Sequence, residues 1–194
     1  MPNPTPPVGR PPGPHDDTLA KVLPVALRLF LEEGGQALTP TRLHRESGVG
    51  RATIYRNWPE PEDLIEIMLG YATESPASDR FVGDLEADLQ MSMRLLLTRF
   101  QKRPARAFFA ACIEYGRRSE RMATVATEFA NGILAPFHRV VGEAVEAGTL
   151  DGEADLLVSE LTGPIMLDHV ILGRAVSFER GEAAVAEFLA RHDV

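Results

Sequence analysis

The stretch Leu38–Trp58 reads LTPTRLHRESGVGRATIYRNW and gathers the side chains of this sequence best suited to a polyanion. Four arginines, Arg42, Arg45, Arg51 and Arg56, stand against one acid, Glu46, a local net charge of +3 in a 194-residue chain whose formal net charge is −8. A positive patch of this kind suits a phosphate backbone, and a slim helix with short side chains fits a major groove. Ile54 can pack inward, so its neighbour Tyr55 must point elsewhere, leaving Arg51, Thr53, Tyr55, Arg56 and Asn57 largely outside. A solvated helix face also accounts for Arg42 and for Arg45, the latter more readily because Glu46 adjoins it. Trp58 reads as a core aromatic between helices.

Other chemistry finds little support. The five histidines, His15, His44, His138, His169 and His192, form no His-x-x-x-His pair, so no metal is expected. Cys112 is the only cysteine, which excludes an intrachain disulfide and a thiolate zinc site. It shares an apolar face with Phe108 and Phe109 and reads as a buried, inert thiol rather than a redox sensor. There is no phosphate loop, no Gly-x-Ser-x-Gly elbow and no interpretable carboxylate pair, so neither an enzyme nor a cofactor is expected. Phe100, Phe108, Phe109, Cys112, Met122, Phe129, Phe137 and Met166 recur at helical spacing. Each alone reads as core; together they could line an apolar pocket between helices. Tyr115, His138, His169, Glu114 and Asp168 are the polar groups placed to orient a ligand there. The candidate ligand-binding set is Phe100, Phe108, Phe109, Cys112, Tyr115, Phe129, Phe137, Met166 and His169.

These residues need elements to position them. The chain is 44% hydrophobic and 25% charged, a balance that excludes wholesale disorder and allows a sizeable core. No run of about 18 apolar residues occurs, and the N-terminus lacks a signal peptide's apolar core, so a cytoplasmic protein with no membrane span is expected. Seven of the fifteen prolines fall within residues 1–14, and residues 1–15 read as a disordered, Pro-rich tail. Helical periodicity dominates thereafter. Val22, Ala26, Leu29 and Phe30 form one stripe, ended by Gly34-Gly35, with Pro24 predicting either a start near Leu23 or a kink. Thr39 is a good N-cap, Pro40 suits the first helical position, and Leu38 can staple onto Leu43. Gly48 stops that helix. A second short one spans Arg51 to Trp58, closed by Pro59, and a third begins at Pro61. Ser75-Pro76 marks a linker. Longer helices follow: one with Leu85, Leu89, Leu96 and Phe100 on one face, one from Pro104, one from about Ser119 to Glu146, a strongly apolar stretch from Leu156 to Phe178, and a tail helix from Glu182 to His192. The expected architecture is all-α, with a helix-turn-helix unit over 16–75 and a larger helical domain over 76–194.

From about Leu19 to Leu69 the sequence resembles the TetR/AcrR family of bacterial transcriptional regulators. ALRLFLEEG looks like the family's first helix, and GVGRATIYRNWPEPEDLI like its recognition helix and the start of the fourth. The core Thr53, Ile54, Tyr55, Arg56 and Trp58, followed by Glu62-Asp63-Leu64, is the most specific part. APFHRVVGEAVEAGTL and LTGPIML extend the likeness more weakly into the second half. The resemblance implies a homodimer that binds a palindromic operator in double-stranded DNA, usually represses, and is released by a small apolar or amphipathic effector bound in the C-terminal domain. Carried over by position, Thr39, Thr41, Arg42, Arg51, Ala52, Thr53, Tyr55 and Arg56 form the DNA-binding set, with Tyr55 and Thr41 on phosphate and Arg51 and Thr53 on base edges. Four positions depart from the family pattern: Pro61 where a lysine is frequent, Gly50 where a side-chain cap is common, His44 where alanine is usual, and Asp16-Asp17 in place of basic residues.

Leu156–Leu172 carries apolar residues on more than one face, so it must bury two sides. With the tail helix it would form a two-fold interface through the last two helices; a single, wholly buried core helix is the rival. Two rival functions also stand. One is a TetR-like protein that has lost DNA binding and acts as a ligand-binding or protein-interaction module. The other is a helical enzyme or carrier that uses only the C-terminal pocket.

Overall fold

A computed structural model describes residues 16–73, 81–101, 104–192 and 194. The Pro-rich tail and the Ser75-Pro76 linker lie outside these residues. Among the described residues there are nine α-helices and no strand, and they divide into two compact units between Met68 and Leu69.

In the first unit, α1 spans Asp16–Glu33, α2 Pro40–Ser47, α3 Arg51–Asn57 and α4 Pro61–Thr73, the last crossing the division. Of the two expectations at Pro24, the start near Leu23 is corrected: α1 runs through the proline. Proline's fixed φ is helical, so the helix continues through it with the bond to the Ala20 carbonyl missing. Val22, Ala26, Leu29 and Phe30 are buried on both sides of it, and such packing, more than propensity, holds short helices together. A single 3-10 turn over Gly35–Ala37 leads into α2. Thr39 caps α2, its side chain accepting from the Arg42 amide at 3.4 Å. Leu38 and Leu43, flanking that cap, are fully buried, as a hydrophobic staple requires. Gly48 ends α2 at φ +71°, a left-handed backbone that a Cβ penalises. Ile54, Trp58, Leu64 and Ile65 complete this core.

The second unit contains α5 (Leu85–Phe100), α6 (Pro104–Tyr115), α7 (Glu120–Glu146), α8 (Ala154–Met166) and α9 (Phe178–Arg191). Side-chain caps start three of them: Asp84 accepts from the Ala87 amide, Ser119 from Met122 and Ser177 from Arg180. α5 packs on α7 and α9, α6 on α7, and α8 on α7 and α9. Gly181 permits the α5–α9 approach, since a Cβ there would lie 2.6 Å from Leu97 Cδ1.

Two expectations are corrected near the C-terminus. The apolar stretch from Leu156 is not one helix to Phe178. Pro164 lies inside α8, and three residues later the helix widens into a π turn, Leu167–Ile171, whose Leu172 amide donates to Leu167 at 3.0 Å. Without an N–H, Pro164 leaves the Glu160 carbonyl without its usual intrahelical bond, and the ladder relaxes just beyond. Gly173, at φ +67°, then turns the chain away. The last helix also starts earlier than Glu182, at Phe178, because Ser177 caps it. This segment is apolar on two sides: Leu157, Val158, Leu161 and Ile165 of α8 are buried, whereas Leu156 of α8 and Leu167 and Ile171 of the π turn are 65%, 51% and 60% exposed in the single chain. A wholly buried core helix is therefore excluded.

Candidate nucleic-acid interface and C-terminal aromatic site

Helices α2 and α3 meet through the turn Gly48-Val49-Gly50, which is held by two side chains that sequence reasoning did not single out for this role. His44 Nδ1 lies 2.8 Å from the Val49 carbonyl. A carbonyl only accepts, so Nδ1 carries the proton. Ser47 donates to the Leu43 carbonyl at 2.6 Å and accepts from the Val49 amide at 3.2 Å. The Ser-Gly pair was a legible turn signal; the histidine bond, five residues long, was not. His44, a departure from the family pattern, is thus a latch on the turn.

The turn presents α3 with only Ile54 buried. Arg51, Ala52, Tyr55 and Arg56 are exposed and Thr53 is half-buried. Gly50 stands at the N-cap with no side-chain bond to the helix. Arg51 lies over the Tyr55 ring at 5.3 Å from its centre, with Nη2 3.4 Å from the phenol oxygen. Arg51, and after it the Thr41 hydroxyl, hold the Tyr55 phenol below its usual pKa. Three of the residues assigned to DNA, one from α2 and two from α3, therefore form a single exposed, polar surface.

Arg42 sits differently. It forms a fork on Glu33, with Nη1–Oε2 at 2.5 Å, and its Nε bonds Glu46 at 3.1 Å. Arg28 bonds Glu46 and Glu32, and Arg45 also reaches Glu46. Three arginines and three glutamates here cancel, so the positive charge of the α2–α3 segment comes down to Arg51 and Arg56. Thr39, exposed, spends its oxygen on capping α2.

The glutamates make the ion-pair group pH-sensitive. Arg28, followed by Arg42 and Arg45, holds the Glu46 carboxyl down at about 2, against an ordinary 4.5, and Arg42 lowers Glu33 as well. A carboxylate depressed in the folded state contributes stability that is complete above its unfolded value and is lost as pH falls through the folded one. Acidification from about 4.5 towards about 2 is therefore expected to loosen the first unit. The only tryptophan, Trp58, is buried in this unit, so its emission should redden over that range. Glu46→Gln should blunt the transition, and added salt should weaken it by screening. A constant wild-type emission at low salt would refute the ion-pair account.

In the second unit, five of the expected ligand residues come together. Phe100 meets Phe109 edge-on at 6.1 Å, Phe109 meets Phe129 at 5.2 Å, Phe108 meets Phe129 at 6.4 Å, and the His169 ring stacks on Phe100 at 4.0 Å and 7°. Tyr115 and Phe137 are fully buried, and the Arg118 guanidinium lies 4.1 Å from the centre of the Tyr115 ring. Met166 and Cys112 are half-buried. Burial pushes the Cys112 thiol up to about 11, which keeps it protonated and unreactive. Of the polar candidates, Glu114 is exposed and paired with Arg118, and His138 lies 3.3 Å from the exposed Asp155. Asp168 is bound to Arg174 at 2.8 Å. Only Tyr115 and His169 are buried polar groups among those five. Among the described residues no group of His, Cys, Asp and Glu could hold a metal, and no helix is long and apolar enough to cross a membrane.

Residues 82–188 match the family model described as "Tetracyclin repressor-like, C-terminal domain". Helix-turn-helix-type transcriptional regulators of Mycobacterium tuberculosis and Mycobacterium bovis are 24% identical over 180 residues, 92% of this chain and 89% of theirs. Among solved structures, a TetR transcriptional regulator of Agrobacterium tumefaciens aligns with a TM-score of 0.71 at 23% identity, covering 91% of this chain and 94% of its own. A TetR regulator of Haloarcula marismortui aligns at 0.72 and 18% identity, covering 91% and 98%. A flavonoid-responsive regulator aligns at 0.66 and 23% identity, covering 90% and 96%.

Proposed function

This chain belongs to the TetR family of transcriptional regulators, non-enzymatic proteins that bind DNA, function as dimers and respond to small molecules, and from that premise we propose that it is a repressor of a palindromic operator, released by an effector. The observation that carries the DNA half is the Thr41–Tyr55–Arg51 surface, a phenol and a guanidinium ordered together on an exposed recognition helix. Thr41 and Tyr55 would take backbone phosphate and Arg51 a base edge, with Arg56 as the second cation. Arg42, committed to two carboxylates, serves the packing of α1 on α2 and stands outside the reading surface.

The dimer forms through the outer faces of α8, the π turn after it and α9, where Leu156, Leu167 and Ile171 and the exposed Ala183, Ala186 and Ala190 leave an apolar surface. The effector binds in the second unit beside the aromatic cluster. One structural neighbour is by name flavonoid-responsive, which supports a small aromatic molecule as effector. The protein would act in the cytoplasm, where its operators lie.

The test is a selection of genomic fragments by the purified full chain, sequenced at two salt concentrations. A palindrome is expected to emerge, with affinity falling steeply as salt rises because counterions leave the phosphates. No enrichment at low salt from a folded dimer would refute DNA reading and favour a ligand-binding module that has lost it, in line with the uncapped start of α3 and with Pro61.

A further inference from the structure

Outside the reading surface, the group hardest to explain by packing alone is His169. It is buried at 9% exposure, and its Nε2 has no hydrogen-bond partner among the described residues. Buried polar nitrogens are nearly always paired, because leaving one desolvated and unbonded is unfavourable. A phenylalanine would supply the same stack on Phe100 without that penalty, so the nitrogen itself calls for a reason.

Stacking fixes the orientation of the imidazole, and its surroundings favour one tautomer. Phe100 fixes the ring plane at 4.0 Å and 7°. The Arg174 backbone favours a proton on the ring. The Arg174 amide is already given to the Asp168 carbonyl at 2.8 Å, so the group that favours the proton is the Arg174 carbonyl, and with Nε2 unbonded that proton belongs on Nδ1. Nε2 then carries a lone pair. Burial, and the nearby Arg106 charge, both disfavour a second proton and hold the ring neutral. The histidine sits in the π turn, and π insertions in helices are frequent at functional sites. Phe100, on which it stacks, meets Phe109, and Phe109 meets Phe129, a continuous run of apolar aromatic rings.

We propose that His169 is the polar anchor of the effector site, its Nε2 accepting a hydrogen bond from the hydroxyl of a planar phenol lodged against Phe100, Phe109 and Phe129. The proposal rests on the effector reading above and narrows it to one chemical class. An anion such as a carboxylate offers Nε2 no proton, and a plain hydrocarbon leaves it unbonded.

The test is calorimetric titration of the full chain with naphthol and with its methyl ether, two ligands of the same ring that differ in one donor. Naphthol is expected to bind at least about tenfold more tightly, a difference of one hydrogen bond. His169→Phe keeps the stack and removes the acceptor, so it should bind both ligands alike. Equal affinities in the wild-type chain, a preference that survives in His169→Phe, or no binding of naphthol at millimolar concentration would each overturn the proposal. If naphthol fails while other small molecules release the selected palindrome, the anchor falls and the effector reading stands. If naphthol binds with the expected preference yet no compound releases DNA, the anchor stands and the effector reading falls.

Discussion

Arg51→Ala is expected to weaken binding to the selected palindrome by about 10- to 100-fold, and to relax the preference at one base position in each half-site. The size follows from what is lost. Arg51 is the first residue of α3, exposed, and leaned against the Tyr55 ring at 5.3 Å. Its guanidinium is therefore partly ordered before DNA arrives, and ordering that need not be done on binding strengthens the complex. Tyr55→Phe removes the phenol hydrogen bond but keeps the ring under Arg51. It should weaken binding only a few-fold and equally across sequences, because a phosphate contact carries no sequence information. Titrations of the palindrome and its single-base variants, at one salt concentration, separate the two. If Arg51→Ala lowers all variants alike, Arg51 is a phosphate contact; if it changes nothing, α3 is not the reading helix.

Leu156→Arg and Leu167→Arg are each expected to give a folded monomer that binds the operator at least about 100-fold more weakly than the dimer does. Both side chains are more than half exposed in the single chain, so a charge there leaves the fold intact by helicity and melting. In a two-fold apolar interface the same charge occurs twice, desolvated and unpaired, which such interfaces do not tolerate. A monomer has one reading head, and linking two heads is what turns two modest affinities into one high one. Sedimentation velocity gives the mass and a binding titration the affinity. Retention of the dimer in both variants would move the interface away from the outer face of α8 and the π turn after it.

Much of the first unit was legible in the sequence because its signals are local. A threonine before Pro40, a glycine at 48 and an apolar pair at Leu38 and Leu43 specify α2 through neighbouring backbone groups, and the helix appears where they place it. Ile54 inward and Tyr55 outward follow from helical geometry, and Tyr55 is 46% exposed while Ile54 is fully buried. Pro24 left a late start and a continuous helix both open, because proline reports the loss of a bond, whereas whether the helix continues depends on how well both sides of it are packed.

What the sequence by itself determined was the all-α class, the short pair of helices at 40–57 and the apolar faces. Tertiary structure alone decided which charges remain available. Arg42 looked like any other arginine of the basic segment, yet Glu33, nine residues earlier, and Glu46 take it up. It also decided that His44 latches the turn and that His169, 40 or more residues from any phenylalanine of the aromatic cluster, stacks on Phe100 with one nitrogen left over. The reason is the range of the forces. Caps, staples and helical faces act within one or two turns of chain and are written in spacing. Ion pairs, ring stacks and unmet hydrogen bonds depend on which distant segments the packed core brings together.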